Sequence, residues 1–197
     1  MAQRTAKNAK RANSSSNIRP TSGKVLLALL NILQSSGHID GCRFLDLFAG
    51  TGEVTIAAAS RGAAFTLAVE SDRTAASGIA ARIASLPARA PAHVVRGDVR
   101  RIVPKLAREC EADPSRKFDV IFADPPYCLG WGETLPGLIE DNAAILTERG
   151  VFVFEHSARE KPADRLPSVF ARDDRIYGDT VLSFYRQRTE KREEGVF

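Results

Sequence analysis

Apolar positions along the chain follow two periods. Short runs rich in apolar and β-branched residues, near 43–48, 65–70, 92–97, 118–123 and 150–156, read as strands. Between them lie longer amphipathic stretches near 53–61, 73–86, 99–110 and 133–147, which read as helices. A leading helix is expected from about Ser22 to Gln34, because Val25, Leu26, Leu29, Leu30 and Leu33 recur at helical spacing. Short strand, longer helix, short strand implies an α/β fold with a parallel sheet covered on both faces. After Ser157 the pattern changes. No long helix follows, and Val169 to Arg175 and Val181 to Gln187 can pair as a hairpin across Tyr177-Gly178-Asp179.

Composition narrows the class. With 197 residues and 44% hydrophobic content, the chain can bury one sizeable core and is expected to form a single domain. No apolar run reaches membrane-spanning length and the N-terminus lacks a signal-peptide h-region, so a cytoplasmic protein is expected, with no membrane partner. Cys42, Cys110 and Cys128 have no metal-ligand spacing, and His38, His93 and His156 are scattered, so neither a metal site nor a disulfide framework is indicated. Charge is uneven. Residues 1–39 contain Arg4, Lys7, Lys10, Arg11, Arg19 and Lys24 and no acid, so the basic excess lies in a leading arm. Residues 1–18 of that arm, which include Ser14-Ser15-Ser16-Asn17, are expected to be disordered in isolation and to contact phosphates. The domain is then expected over 19–187, with a charged tail over 188–197.

Candidate chemistry begins at the first strand. Phe44-Leu45-Asp46-Leu47-Phe48-Ala49-Gly50-Thr51-Gly52-Glu53 is an apolar strand entering a small-residue turn before a helix. Gly50 and Gly52 let a backbone approach a ligand closely, and the helix directs its first N–H groups at it. A dinucleotide fingerprint needs Gly or Ala where Thr55 stands, and a P-loop needs Gly-Lys-Ser/Thr, which is missing here. A cradle with an acid at its mouth, Asp46, and no phosphate-binding lysine suits S-adenosylmethionine. Glu70 closes the second strand about 20 residues on, where an acid commonly accepts from ribose hydroxyls, and Asp98 closes the third, where it could bond an adenine amino group or cap the next helix.

Asp124-Pro125-Pro126-Tyr127 follows the apolar run Phe118 to Ala123. Its parts suit methyl transfer to an exocyclic amino nitrogen, whose lone pair is delocalised into its ring and must be turned toward an electrophile. A carboxylate (Asp124) and a backbone carbonyl (Pro125) can accept its two N–H bonds, Pro126 helps to rigidify the loop, and Tyr127 offers a face for a planar base. Cys128 invites comparison with cysteine-dependent C5 methylation of pyrimidines, but the neighbouring acceptor set makes a covalent nucleophile unnecessary.

With these segments in hand, residues from about Arg19 to Tyr185 resemble the class I S-adenosylmethionine-dependent methyltransferases, and within them the bacterial 16S rRNA guanine-966 N2-methyltransferases. The resemblance rests on Arg19-Pro20-Thr21, the Leu45 to Gly52 turn, Glu70, Asp98, Asp124 to Tyr127, and Tyr177-Gly178-Asp179-Thr180 leading to Phe184-Tyr185. The chain departs from that family's pattern in having no glycine among residues 1–18 and in carrying Leu26-Leu27 where an Arg-Glu pair is usual. The resemblance implies a Rossmann-like, seven-stranded, mostly parallel sheet with an antiparallel last strand. It implies cofactor contacts from Asp46, Phe48, Ala49, Gly50, Thr51, Gly52, Glu70, Ser71, Asp98 and Val99, and catalytic contacts from Asp124, Pro125, Pro126 and Tyr127. The expected partner is 16S rRNA or the assembling small ribosomal subunit, met by a monomer without a metal. Competing readings are a DNA adenine-N6 methyltransferase, disfavoured because the connections are too short for a large recognition insert; a protein glutamine methyltransferase, which would place Asn at Asp124; and an RNA-binding scaffold without catalysis.

Overall fold

The computed structural model describes residues 23–86, 92–126, 129–160 and 170–187. The basic arm, Arg19-Pro20-Thr21, Ser22, Tyr127, Cys128, Val169 and the charged tail lie outside the described residues.

Helix α1 (Gly23–Ser35) precedes five alternations: β1 (Arg43–Leu47), α2 (Glu53–Ser60), β2 (Phe65–Glu70), α3 (Arg73–Ala84), β3 (Ala92–Arg96), α4 (Val99–Ala112), β4 (Phe118–Ala123), α5 (Trp131–Asp141) and β5 (Leu146–Ser157), followed by the hairpin β6 (Phe170–Tyr177) and β7 (Thr180–Gln187). One seven-stranded sheet results, in the order β3-β2-β1-β4-β5-β7-β6. Strands β1 to β5 pair in parallel, while β7 runs antiparallel to both β5 and β6. The expected hairpin is present, turning at Gly178 with φ of 61°. The order reverses between β1 and β4, so the crevice for a ligand opens beyond the carboxyl ends of these strands.

Alternation along the strands sends side chains to two cores. Leu45, Leu47, Ile121, Ala123, Phe152 and Phe154 pack with Val99, Val103 and Ala107 of α4 and with Leu135 and Ile139 of α5. Phe44, Val120, Phe122, Val151 and Val153 point the other way, against α1 and α2. On α1, Val25, Leu29, Leu30 and Leu33 are buried on one stripe, and each such side chain contributes roughly 1.5–3 kcal/mol before the entropy of ordering it is counted. Two helices start at acids that follow a strand by two residues. The Asp72 side chain accepts from the Ala75 N–H at 2.8 Å to cap α3, and the Asp98 side chain accepts from the Arg100 N–H at 2.8 Å to cap α4.

One element departs from expectation. The helix read over 133–147 ends at Asp141, and β5 begins at Leu146 rather than near 150. The Asn142 side chain donates back to the Leu138 carbonyl at 2.8 Å, closing the helix, and a 3₁₀ turn over Ala143–Ile145 redirects the chain. Leu146 then pairs with Phe118, and the register shifts before Val151 pairs with Val120. That irregularity hides the first part of the strand from any test of period two.

Candidate active site

The turn that leaves β1 is held from both ends. The Ala49 N–H donates to the Val69 carbonyl at 3.0 Å, and the Gly52 N–H donates to the Ala49 carbonyl at 2.7 Å. Gly52 caps α2 with φ of 75°, and a Cβ there would lie 3.0 Å from Cγ1 of Ile79 on α3. Glycine at this position therefore serves the left-handed turn and the α2–α3 contact as well as any ligand. Thr51 is exposed, and its carbonyl accepts from the Arg82 guanidinium at 2.6 Å.

Glu70 belongs to this turn. Its Oε2 accepts from the Gly50 N–H at 2.8 Å, and its Oε1 accepts from the Asp72 N–H at 2.7 Å and from the Ser71 hydroxyl at 3.4 Å. One carboxylate thus ties the glycine turn to the start of α3. Asp98 is exposed and committed through one oxygen to its cap, while Val99 beside it is buried in the core. The Gly97 N–H donates to the Glu70 carbonyl at 2.9 Å, so the ends of β2 and β3 stay in register beside the turn.

Asp46 sits elsewhere than at the mouth of the cradle. It lies within β1, opposite in direction to Leu45 and Leu47, and only 1% of its surface is exposed. Its Oδ2 accepts from the Thr55 hydroxyl at 2.6 Å and from the Thr55 N–H at 3.1 Å, fixing the first turn of α2. Burial pushes its carboxyl up to about 7; the two Thr55 donors oppose the rise, and the charges of Asp124 and Glu70 add to it. Asp46 therefore lies within reach of the charges of both Asp124 and Glu70.

Asp124 follows β4 directly. Its side chain is half-buried, Pro125 is buried and Pro126 is exposed. Tyr127 is outside the described residues. Sequence reasoning missed Glu155, which is 3% exposed on β5. Ala123 pairs with Phe154, so Glu155 stands one strand over from Asp124 at the same level of the carboxyl edge. A charged residue closing the run Val151 to Phe154 was the available signal. It also missed Trp131, the first residue of α5, which is buried against Phe48. Among the described residues no group of His, Cys, Asp and Glu could hold a metal, and no helix is long and apolar enough to cross a membrane. A separate groove of about 440 Å³ between α3 and β3 is lined by Arg73, Ala76, Ser77, Ala80, Val94 and Arg96, none of them a residue of this site.

A seven-stranded sheet with this order, a glycine turn after its first strand and acids closing the next strands defines a class I methyltransferase fold. Solved structures agree. A protein described as "Putative methyltransferase yhhF" of Escherichia coli superposes with a TM-score of 0.70 at 24% identity, covering 86% of this chain and 88% of that one. Human methyltransferase-like protein 13, solved with S-adenosylhomocysteine (SAH), superposes with a TM-score of 0.64 at 19% identity over 85% and 82%. Residues 5–186 match the family model described as "Conserved hypothetical protein 95", and the chain belongs to that family of methyltransferases. Among curated relatives, "Putative rRNA methyltransferase YlbH" of Bacillus subtilis (strain 168) is 31% identical over 86% of this chain and 88% of its own length. The Ribosomal RNA small subunit methyltransferase D of Escherichia coli (strain K12) is 27% identical over 88% and 81%.

Proposed function

We propose that this protein transfers a methyl group from S-adenosylmethionine to the exocyclic N2 of a guanine in 16S rRNA. The observation that carries the reading is the gathering of the Gly50 turn, Glu70 and Asp124 at the switch point of the sheet, with Glu70 already accepting from the Gly50 N–H. The residues fit the cofactor: a carboxylate that can accept from hydroxyls, a tight glycine turn that a ligand can approach closely, and no lysine demanding a phosphate. The relatives named as rRNA methyltransferases, one of them for the small subunit, support RNA as the substrate class, and the SAH complex of a protein with this fold supports the cofactor.

The cofactor supplies an electrophilic methyl on a sulfonium, so this chain's residues have to bind, align and exclude water. Phe48 to Gly52, with Glu70 and Ser71, would hold the ribose and amino-acid portions, and Asp98 and Val99 would hold the adenine. Asp124 and the Pro125 carbonyl accept the two N–H bonds of the target amine and direct its lone pair along the displacement axis, Pro126 stiffens that loop, and Tyr127 stacks the base. The amine acquires positive charge as the bond forms. An adjacent carboxylate, Asp124, stabilises that charge and takes part in proton loss from the product. The base must leave its stack to reach these groups.

The test is transfer of labelled methyl from S-adenosylmethionine to small-subunit rRNA, duplex DNA and protein substrates in parallel. Label in RNA alone, recovered as N2-methylguanosine, supports the reading. Label in DNA or protein, or cofactor binding with no transfer to any substrate, overturns it.

A further inference from the structure

Three elements of the site meet at one aromatic contact. Phe48, at the end of β1, is the only non-glycine residue with positive φ among the described residues, at 64°. Such a conformation is an outlier for a bulky side chain and persists where the surroundings enforce it. Trp131 and Phe48 meet edge to face, with ring centroids 4.7 Å apart and planes at 72°. On the ring face of Trp131, the Arg100 guanidinium lies 3.8 Å from the centroid. Trp131 opens α5, seven residues beyond Asp124; Arg100 lies in the first turn of α4, two residues beyond Asp98; Phe48 immediately precedes Ala49 and Gly50.

We propose that Trp131, held between Phe48 and Arg100, is a positioning residue that sets the target-side loop after β4 against the cofactor turn after β1. The ordinary alternative is core packing, since Trp131 is only 7% exposed. Two features go beyond packing. A guanidinium over a ring face and a second ring packed edge to face are directional contacts, satisfied by few relative placements of the three elements. The contact also falls on Phe48, the one non-glycine among the described residues whose backbone has positive φ. Methyl transfer in line needs amine and methyl aligned to a fraction of an ångström, and displacing either loop by 1 Å can cost about 100-fold in rate. Arg100, Trp131 and Phe48 together fix that alignment. The rate part of this inference rests on the proposed methyl transfer; the link between cofactor turn and Trp131 does not.

Trp131 is the chain's single tryptophan, so its emission reports the stack directly. Trp131→Phe preserves an aromatic edge and face, whereas Trp131→Leu preserves apolar bulk and removes both. Positioning predicts that Trp131→Leu and Arg100→Met lower the single-turnover rate by roughly 10- to 100-fold, with RNA KM and cofactor affinity nearly unchanged, while Trp131→Phe stays near wild type. A folded Trp131→Leu protein with the wild-type rate overturns the proposal, as does a loss confined to KM or shared equally by Trp131→Phe. In the wild-type protein, titration with SAH should shift Trp131 emission, and the shift should shrink in Arg100→Met. Binding seen by calorimetry with no change in emission also overturns the proposal, whatever Trp131→Leu does to folding. Cofactor binding with an emission shift but no methyl transfer to RNA leaves the stack in place and overturns the RNA reading alone.

Discussion

Replacing Asp46 by asparagine should change how stability depends on pH. Burial raises the Asp46 carboxyl from 3.8 to about 7 in the folded chain. An acid with a raised folded pKa favours the protonated form, so its contribution is fully present below the unfolded value near 4 and is lost as pH rises through 7. A rise of this size corresponds to about 4 kcal/mol, at about 1.4 kcal/mol per pH unit across the window. Asparagine is a neutral near-isostere that can still accept from Thr55, and it removes the titration. Unfolding of both proteins by denaturant from pH 4 to pH 8 reads the difference, because groups remote from Asp46 titrate alike in the two. The asparagine variant should gain on wild type through that window, by up to ~4 kcal/mol, less the part of the charge-assisted Thr55 bonds that asparagine cannot replace. Parallel stability curves would refute the reasoning and place an ionised Asp46 in the fold. A cationic sulfonium nearby should draw the carboxyl back toward ionisation, so wild-type cofactor affinity should rise between pH 6 and 8, and the asparagine variant should lose that dependence.

The remaining predictions concern the ligand-facing groups. Glu70→Ala removes the acceptor for the Gly50 and Asp72 N–H groups as well as a ribose partner, so cofactor binding by calorimetry should weaken by ~1–3 kcal/mol or more; unaltered affinity in a folded protein would take Glu70 out of the site. Asp124→Ala should abolish most single-turnover activity with cofactor affinity nearly unchanged, and retention of the wild-type rate would show that the amine is held by other groups. Deleting residues 1–17 removes Arg4, Lys7, Lys10 and Arg11, and the log–log salt dependence of RNA binding should flatten by up to ~3 if all four meet phosphates. An unchanged slope would make the arm a passive tail and direct attention to Arg96 and Arg101, with Arg100 already engaged over Trp131.

The parts of the fold that sequence makes legible are those with a strict local period. The α1 stripe, β1, β2 and β4, and the hairpin around Gly178 all fall within a residue or two of expectation because burial dictates their patterns. The beginning of β5 was not legible, since a register shift against β4 breaks the alternation that would reveal it. Within the site, Glu70 and Asp124 could be read from strand ends. The location of Asp46 could not, because its direction depends on which face of β1 meets α2, and its partner Thr55 stands nine residues away on another element. Trp131 was invisible for a similar reason: what matters about it is a neighbour brought by helix packing, which leaves no local motif. Glu155 left a signal, the charge closing the run Val151 to Phe154, but its place beside Asp124 depends on strand order.

The central claim is that this chain methylates the N2 of a guanine in small-subunit rRNA. Mass-spectrometric mapping of modified nucleotides in 16S rRNA, from cells with and without the gene and from cells carrying only the Asp124→Ala form, tests it most directly. The account predicts one N2-methylguanosine, present with the wild-type gene and missing in both other strains. An unchanged nucleotide map in the deletion strain, or loss of a different modification, would contradict it.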